Sequence, residues 1–157
     1  MMTNPDAGIA EPAPANPAMN SALADMHAVM NAHPQLTDHG FGIFDGYRRK
    51  PIEERKAIFA RDRACLTEER ALGQFDAARA WLRQWSKLKR INPRVGSSYH
   101  LKHVAQDAIG YSTNGVFIAA AIAEGFMVKR CDWSSPNAWL NIPSKVGELG
   151  WKKIRRP

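Results

Sequence analysis

Eight consecutive apolar residues at positions 116–123 (Val-Phe-Ile-Ala-Ala-Ala-Ile-Ala) constrain the fold of this chain more than any other segment. The run is much shorter than the roughly 18–20 residues of a membrane span. A helix that is apolar on all sides is usually enclosed by other elements of the same protein. The 157 residues, 45% of them hydrophobic, suffice for one domain with a core that encloses such a helix.

Periodicity predicts the elements around this run. Four prolines among small residues in the first 19 positions predict a disordered tail. After Gly125 the period changes from helical to alternating, which indicates a β-hairpin, and a polar tail follows. We predict helices at 22–31, 52–72, 75–89, 99–108 and 115–124, and strands at 126–131 and 138–142. The fold class is therefore mainly α, with a tail (1–19), a short helix and loop (20–47), and a basic helical domain with a C-terminal hairpin (48–157).

The segment LKHVAQDAIGYSTNGVFIAAAIAEGF, residues 101–126, resembles a helix-turn-helix. Val104 and Ala105 match its first helix, Ile109-Gly110-Tyr111-Ser112 its turn, and Val116 and Ile122 its second helix. With a hairpin as the wing, residues 98–142 are similar in order to a winged helix-turn-helix, although no specific family is identified. The resemblance implies DNA binding. Residues 116–123 have no polar side chain for base edges, so only Thr113 and Asn114 are candidate base readers, and a turn or cap role for Asn114 is the alternative.

Basic and acidic residues are separated along the chain. Residues 1–47 contain five acidic residues and no Lys or Arg, whereas the rest has 22 basic and ten acidic residues, a formal net charge of +12. Seven cations and no acid lie between Arg79 and Lys102. Contacts with phosphates release condensed counterions, so this concentration favours a nucleic-acid partner, DNA before RNA.

The candidate nucleic-acid contacts carry a positive charge or a hydrogen-bonding group close to the helix-turn-helix-like segment or in the basic tail. They are Arg83, Lys87, Lys89, Arg90, Arg94, Ser98, Lys102, Thr113, Asn114, Lys129, Arg130, Lys152 and Lys153.

The residue pattern predicts no enzyme, metal or cofactor. His100, His103 and Asp107 share a helix face, and Cys131 could join them, but zinc needs three or four ligands and no further one stands at motif spacing. With Tyr99, these histidines could instead stack on bases. Two cysteines make neither a disulfide framework nor a four-thiolate zinc site, and neither a phosphate-binding glycine loop nor a carboxylate pair is recognisable.

The leading hypothesis is a small, non-enzymatic, cytoplasmic DNA-binding regulator that docks through a basic helix face and its tail, without membrane contact. The alternative is a protein-interaction module or inhibitor of the phage or plasmid accessory type, which contacts a protein partner through the Ala-rich helix and tryptophans. Trp81 and Trp85 are expected in the core, while Trp133 and Trp139 are expected to stack on a partner or to cover the core. Burial of residues 116–123 in the monomer would make that helix structural.

Overall fold

A computed structural model describes residues 16–154. Helices and two small antiparallel hairpins make this part of the chain mainly helical, which confirms the predicted fold class. The helices are α1 (Pro17–Ala32), α2 (Ile52–Ala64), α3 (Glu69–Leu82), α4 (Ser98–Ile109), α5 (Asn114–Ala123) and α6 (Ser144–Ile154). The strands are β1 (Leu36–Thr37), β2 (Gly40–Phe41), β3 (Val128–Arg130) and β4 (Ala138–Leu140).

Helix α5 lies at the centre of the core. Its residues 114–121 are all buried, and α1, α3, α4 and the β1–β2 hairpin pack around it. Phe117 and Ile118 have no exposed surface, and the Phe117 ring lies 6.1 Å from the ring of Trp81. The apolar run is therefore a buried structural helix. It has no polar, solvent-facing side with which to read a DNA groove.

The N-terminal segment belongs to the same core as the basic part. Met26 and Leu36 are fully buried, and they join one apolar cluster with the centre of α5. Helix α1 begins at Pro17, earlier than predicted, because the Asn16 side chain accepts a hydrogen bond from Ala18 N (3.1 Å) and proline suits the first helical turn. Positions 17–19 of the predicted tail are thus helical, while positions 1–15 lie outside the described residues. The division at residue 48 does not separate two cores.

The break between α2 and α3 falls earlier than the sequence suggests. Helix α2 ends at Ala64, a 3₁₀ turn covers Cys65–Thr67, and Glu68 is extended before α3 starts. Helix α3 then runs through Gly73, which is exposed. The predicted helices 52–72 and 75–89 are therefore wrong at this junction. Residues 83–92, expected to be helical in part, form turns and irregular structure.

The C-terminal hairpin has the predicted position and follows the two helices α4 and α5. Strands β3 and β4 pair antiparallel, with Val128 opposite Leu140 and Lys129 opposite Trp139. Asp132 stabilises the connecting loop by accepting hydrogen bonds from the backbone N–H groups of Ser134 and Ser135, both at 2.8 Å. The segment after Pro143 is helix α6, which corrects the expectation of an irregular polar tail.

Candidate functional site

A cleft of about 590 Å³ opens beside the N-terminus of α5. Its volume is within the range of about 300–1,000 Å³ that small-ligand sites occupy. The walls come from the β1–β2 turn, the segment before α2, helices α2 and α4, the α4–α5 turn and the β3–β4 loop. The lining residues are Asp38, His39, Phe44, Asp45, Asp62, Tyr99, Lys102, His103, Tyr111, Thr113, Asn114, Pro136 and Asn137.

Asn114 forms a fully engaged polar floor under this cleft. Its Nδ2 donates to the carbonyl oxygen of His39 (3.2 Å) and to Oδ1 of Asn137 (3.0 Å). Its Oδ1 accepts from Ser98 Oγ (2.8 Å), which in turn accepts from the backbone N–H of Ala138 (3.0 Å). Asn114 and Ser98 are both buried. Both side chains are thus occupied by internal hydrogen bonds, which agrees with the structural alternative for Asn114. Contacts of Asn114 with a base and of Ser98 with a phosphate stay predictions.

Thr113 caps α5 and joins it to the β1–β2 turn. Its hydroxyl accepts from Val116 N (3.2 Å) and donates to the Asp38 carboxylate (2.8 Å). Its backbone N–H donates to Gln74 Oε1 at 3.2 Å. The side chain lines the cleft, but its hydrogen bonds make it a helix cap in the first place.

Lys102 is the most unusual group in the cleft. The residue is only 5% exposed, yet its ammonium has no hydrogen bond or ion pair with any described residue. Instead, Nζ lies 5.0 Å from the ring centroid of Tyr99 and 4.9 Å from that of Tyr111. Burial lowers the pKa of this lysine below its usual value. Lysines are seldom buried without a partner, so a largely buried lysine without an ion pair is an unusual group to find beside a cleft. Its predicted role as a phosphate contact stays a prediction.

The carboxylates around the cleft are already paired with arginines. Asp38 lies 3.5 Å from Arg70, Asp45 2.9 Å from Arg48, and Asp62 2.9 Å from Arg61. The acids of the β1–β2 turn and of the segment before α2 are therefore neutralised in the folded chain, and none of the three lies within ion-pair distance of Lys102.

The predicted basic helix face is in fact residues 83–94, which are held along the C-terminal end of β4. They are irregular up to Asn92 and then enter a 3₁₀ turn at Pro93–Val95. Leu88 N donates to the carbonyl oxygen of Asn141 (2.7 Å), and Asn92 N donates to that of Leu140 (2.9 Å). The side chain of Asn141 adds a hydrogen bond to Leu88 O at 2.7 Å. The backbone of this segment is therefore fixed, although it forms neither an α-helix nor a strand.

Four of the predicted contacts in this segment are exposed and have no ion pair with a described residue. They are Lys87, Lys89, Arg90 and Arg94. Arg83 differs, because its guanidinium lies 2.9 Å from the Glu124 carboxylate. We refer to residues 87–94 as the basic segment.

The remaining predicted contacts divide into two groups. Lys129 is exposed on β3, whereas Arg130 is half-buried and donates hydrogen bonds to Ser135 O (2.6 Å) and Gln35 Oε1 (3.0 Å). Arg130 thus connects the C-terminal hairpin loop to the N-terminal segment. Lys152 and Lys153 belong to the last turns of α6, where the side chains lie outside the described part.

The histidines of α4 do not meet as a metal site. His103 packs edge-on against Tyr99, with 4.7 Å between the ring centroids, and His100 Nε2 lies 3.3 Å from Gly147 O. Burial raises the pKa of the Cys131 thiol to about 11. Across residues 16–154, no three His, Cys, Asp or Glu side chains are grouped closely enough to hold a metal ion.

Exposed aromatic rings surround the cleft, and two of them, Phe44 and Tyr111, were not predicted from the sequence, whereas Tyr99 was already a candidate for base stacking. Phe44, Tyr99 and Tyr111 are each more than half exposed, although all three line the cleft. Trp133 is 83% exposed on the neighbouring loop, with the Arg48 guanidinium 5.6 Å from its ring. Trp81 is buried as predicted. Five of the lining residues were candidates from the sequence, and the spacing of two of them places both on one side of α4. The five are Tyr99, Lys102, His103, Thr113 and Asn114.

The sequence matches no protein-family model, and neither a curated protein nor a solved structure is significantly similar to it. None of the helices within the described ranges is both long and apolar enough to cross a membrane.

Proposed function

We propose that this protein binds nucleic acid, DNA in the first place, through its basic segment. The observation that supports the proposal is a row of four exposed cations without acidic partners on a backbone that hydrogen bonds fix beside β4. Because the backbone is already fixed, contact with phosphates orders only the side chains, and each contact releases counterions. The contacts are to the phosphate backbone, because α5, the helix that would read bases, is buried.

The alternative of a protein-interaction module loses its main contact surface. Its Ala-rich helix, α5, is covered by α1, α3 and the β1–β2 hairpin, so it is not available to a partner. Trp133 remains an exposed ring, but a single ring beside Arg48 suits base stacking equally well. The roles as a regulator, as a non-enzymatic protein and in the cytoplasm stay predictions.

The triple variant Lys87→Glu, Lys89→Glu, Arg90→Glu tests the proposal. We expect it to weaken binding to duplex DNA and to reduce the slope of log affinity against log salt by about 3, because each lost phosphate contact accounts for about one unit. Fluorescence anisotropy of a labelled duplex at several salt concentrations measures both quantities.

The matched control is Arg49→Glu, Lys50→Glu, Lys56→Glu, which makes the same change of net charge at exposed positions around the start of α2. Equal losses in the two triple variants would show that net charge alone attracts the DNA. Absence of duplex binding by the wild type at low salt would contradict the proposal itself.

A further inference from the structure

The unpaired ammonium of Lys102 is placed to receive an anion. The side chain is almost completely buried, it lines the cleft, and no described carboxylate or carbonyl oxygen pairs with it. The nearby acids are occupied by arginines, so an incoming anion would meet a positive charge that the protein leaves uncompensated. The side chain is largely enclosed, but its nitrogen atom is not sealed from solvent, so an anion in the cleft can reach it. Partial burial strengthens the attraction between the two charges.

The rings around Lys102 specify what else the ligand contains. Tyr99 and Tyr111 flank the ammonium at 5.0 and 4.9 Å, and their rings are 53% and 58% exposed. Phe44, at the same cleft, is 53% exposed. Exposed aromatic faces next to a cation suit a ligand that joins a flat ring to an anionic group, and a nucleotide has both.

The cleft and the basic segment both contact the chain around β4. Asn137 lines the cleft, and Leu140 and Asn141 hold the basic segment. The backbone between residues 137 and 141 spans at most about 13 Å when extended, which is within the reach of a short stretch of polynucleotide. One nucleic-acid strand can therefore contact both surfaces at once, whereas a free mononucleotide is too short to do so.

We propose that the cleft binds one nucleotide of a single-stranded nucleic acid, with the base stacked on the tyrosine rings and a phosphate at the Lys102 ammonium. This inference rests on the proposed nucleic-acid binding and adds a preference for a single strand over a duplex. Bases inside a duplex are stacked on each other and do not reach protein rings, so only an unpaired strand can use the cleft. The basic segment, in contrast, contacts phosphates of either form.

The test compares oligodeoxythymidine with a duplex of matching length, both labelled for fluorescence anisotropy. In the double variant Tyr99→Leu, Tyr111→Leu, we expect affinity for the single strand to fall about a hundredfold, or tenfold per ring, while duplex affinity changes little. The control Tyr99→Phe, Tyr111→Phe keeps the rings and should retain single-strand affinity. Equal single-strand affinity of the Leu and Phe double variants would overturn the inference.

Lys102→Met separates a ligand role from a structural one. We expect it to reduce the salt slope for the single strand by about 0.7, the value of one phosphate contact, and to leave the melting temperature equal or higher. An unchanged salt slope would overturn the role of Lys102 as a phosphate contact. A lower slope accompanied by a lower melting temperature would also overturn it, because the loss would then come from a damaged fold.

The failures of the two proposals are distinguishable. If the wild type binds the duplex but the tyrosine and lysine variants bind the single strand normally, only the cleft inference fails. If the wild type binds neither probe at low salt, the proposed function fails as well.

Discussion

Arg79 and Glu124 connect three helices through one ionic network. The guanidinium of Arg79 donates to the Glu124 carboxylate just after α5 and to Asp25 on α1, both at 2.6 Å. The Arg79 and Glu124 side chains are only 16% and 12% exposed. Arg79, the first cation of the basic stretch that ends at Lys102, is therefore occupied by ion pairs between helices and is not available to phosphate.

Replacing Glu124 with Gln should lower the free energy of unfolding by about 2 kcal/mol at neutral pH, because charge-assisted hydrogen bonds are lost from a mostly buried site. Burial alone would raise the pKa of Glu124, but hydrogen bonds from Arg79 and Arg83 outweigh it and the pKa is lowered. The folded state thus holds its proton less tightly than the unfolded state. The stabilisation that ionised Glu124 gives to the fold is complete above its ordinary pKa of 4.5. It is lost as the pH falls through the lower pKa that Glu124 has in the folded state.

Urea unfolding of wild type and variant at neutral pH and below pH 4.5 measures this difference. The gap between the two proteins should shrink in acid. A gap of constant size would show that Glu124 stabilises the fold by packing and not by charge.

At the level of elements, α5 and the β1–β2 turn require close backbone approach. Gly115 N donates to Asp38 O at 3.0 Å, and a Cβ at position 115 would overlap the carbonyl oxygen of Thr37. Because the obstacle is backbone, it has little freedom to move. Gly115, near the start of α5, is therefore the residue that lets the turn dock.

We expect Gly115→Ala to destabilise the protein by about 3 kcal/mol, the upper range for overpacking. The matched control is Gly73→Ala in α3, where a Cβ meets nothing within 4 Å and alanine should stabilise by about 0.5–1 kcal/mol. Denaturant midpoints of the two variants should move in opposite directions. A neutral Gly115→Ala would mean that the turn is free to shift away from α5.

Elements with a strong local pattern could be predicted from the sequence. Uniform apolarity identified α5, and alternation identified the β3–β4 hairpin. The α2–α3 break could not be predicted, because neither Gly nor Pro marks it: Leu66 is buried in the turn by distant contacts, while Gly73 remains helical and exposed. Contacts with distant parts of the chain therefore decided where the helix ends, and the glycine at position 73 did not.

The site was less predictable than the fold. Its lining residues come from positions as far apart as 38 and 137, and the docking of the β1–β2 turn on α5 brings them together. Charge counting found the basic segment, yet it could not show that Lys102 is buried and that Arg83 has an acidic partner. Both facts depend on which residues, distant in the sequence, pack next to each cation in the folded protein.

For the whole molecule, the acidic N-terminal segment is structural. Asp25, Asp38 and Asp45 each lie within ion-pair distance of an arginine from the basic part. Met26, Leu36 and other buried residues of this segment share the core with α5. These three ion pairs offset three of the positive charges of the basic part, and the basic segment keeps its own positive charge.

Removal of residues 1–47 should abolish cooperative unfolding, because it exposes the apolar surface of α5 that α1 and the β1–β2 hairpin cover. Thermal melts followed by circular dichroism, together with binding of a hydrophobic dye, measure the effect. A truncated protein with a sharp transition and no dye binding would show that residues 48–157 fold alone.

The same arrangement has a consequence during synthesis on the ribosome. About 90 residues separate the end of α1 from the end of α5. At about 5–20 residues per second, α1 leaves the ribosome roughly 5–18 s before α5, which together with α3 covers its apolar side. Nascent chains in this interval carry an uncovered apolar helix, so expression of this protein should depend on chaperones that shield such surfaces.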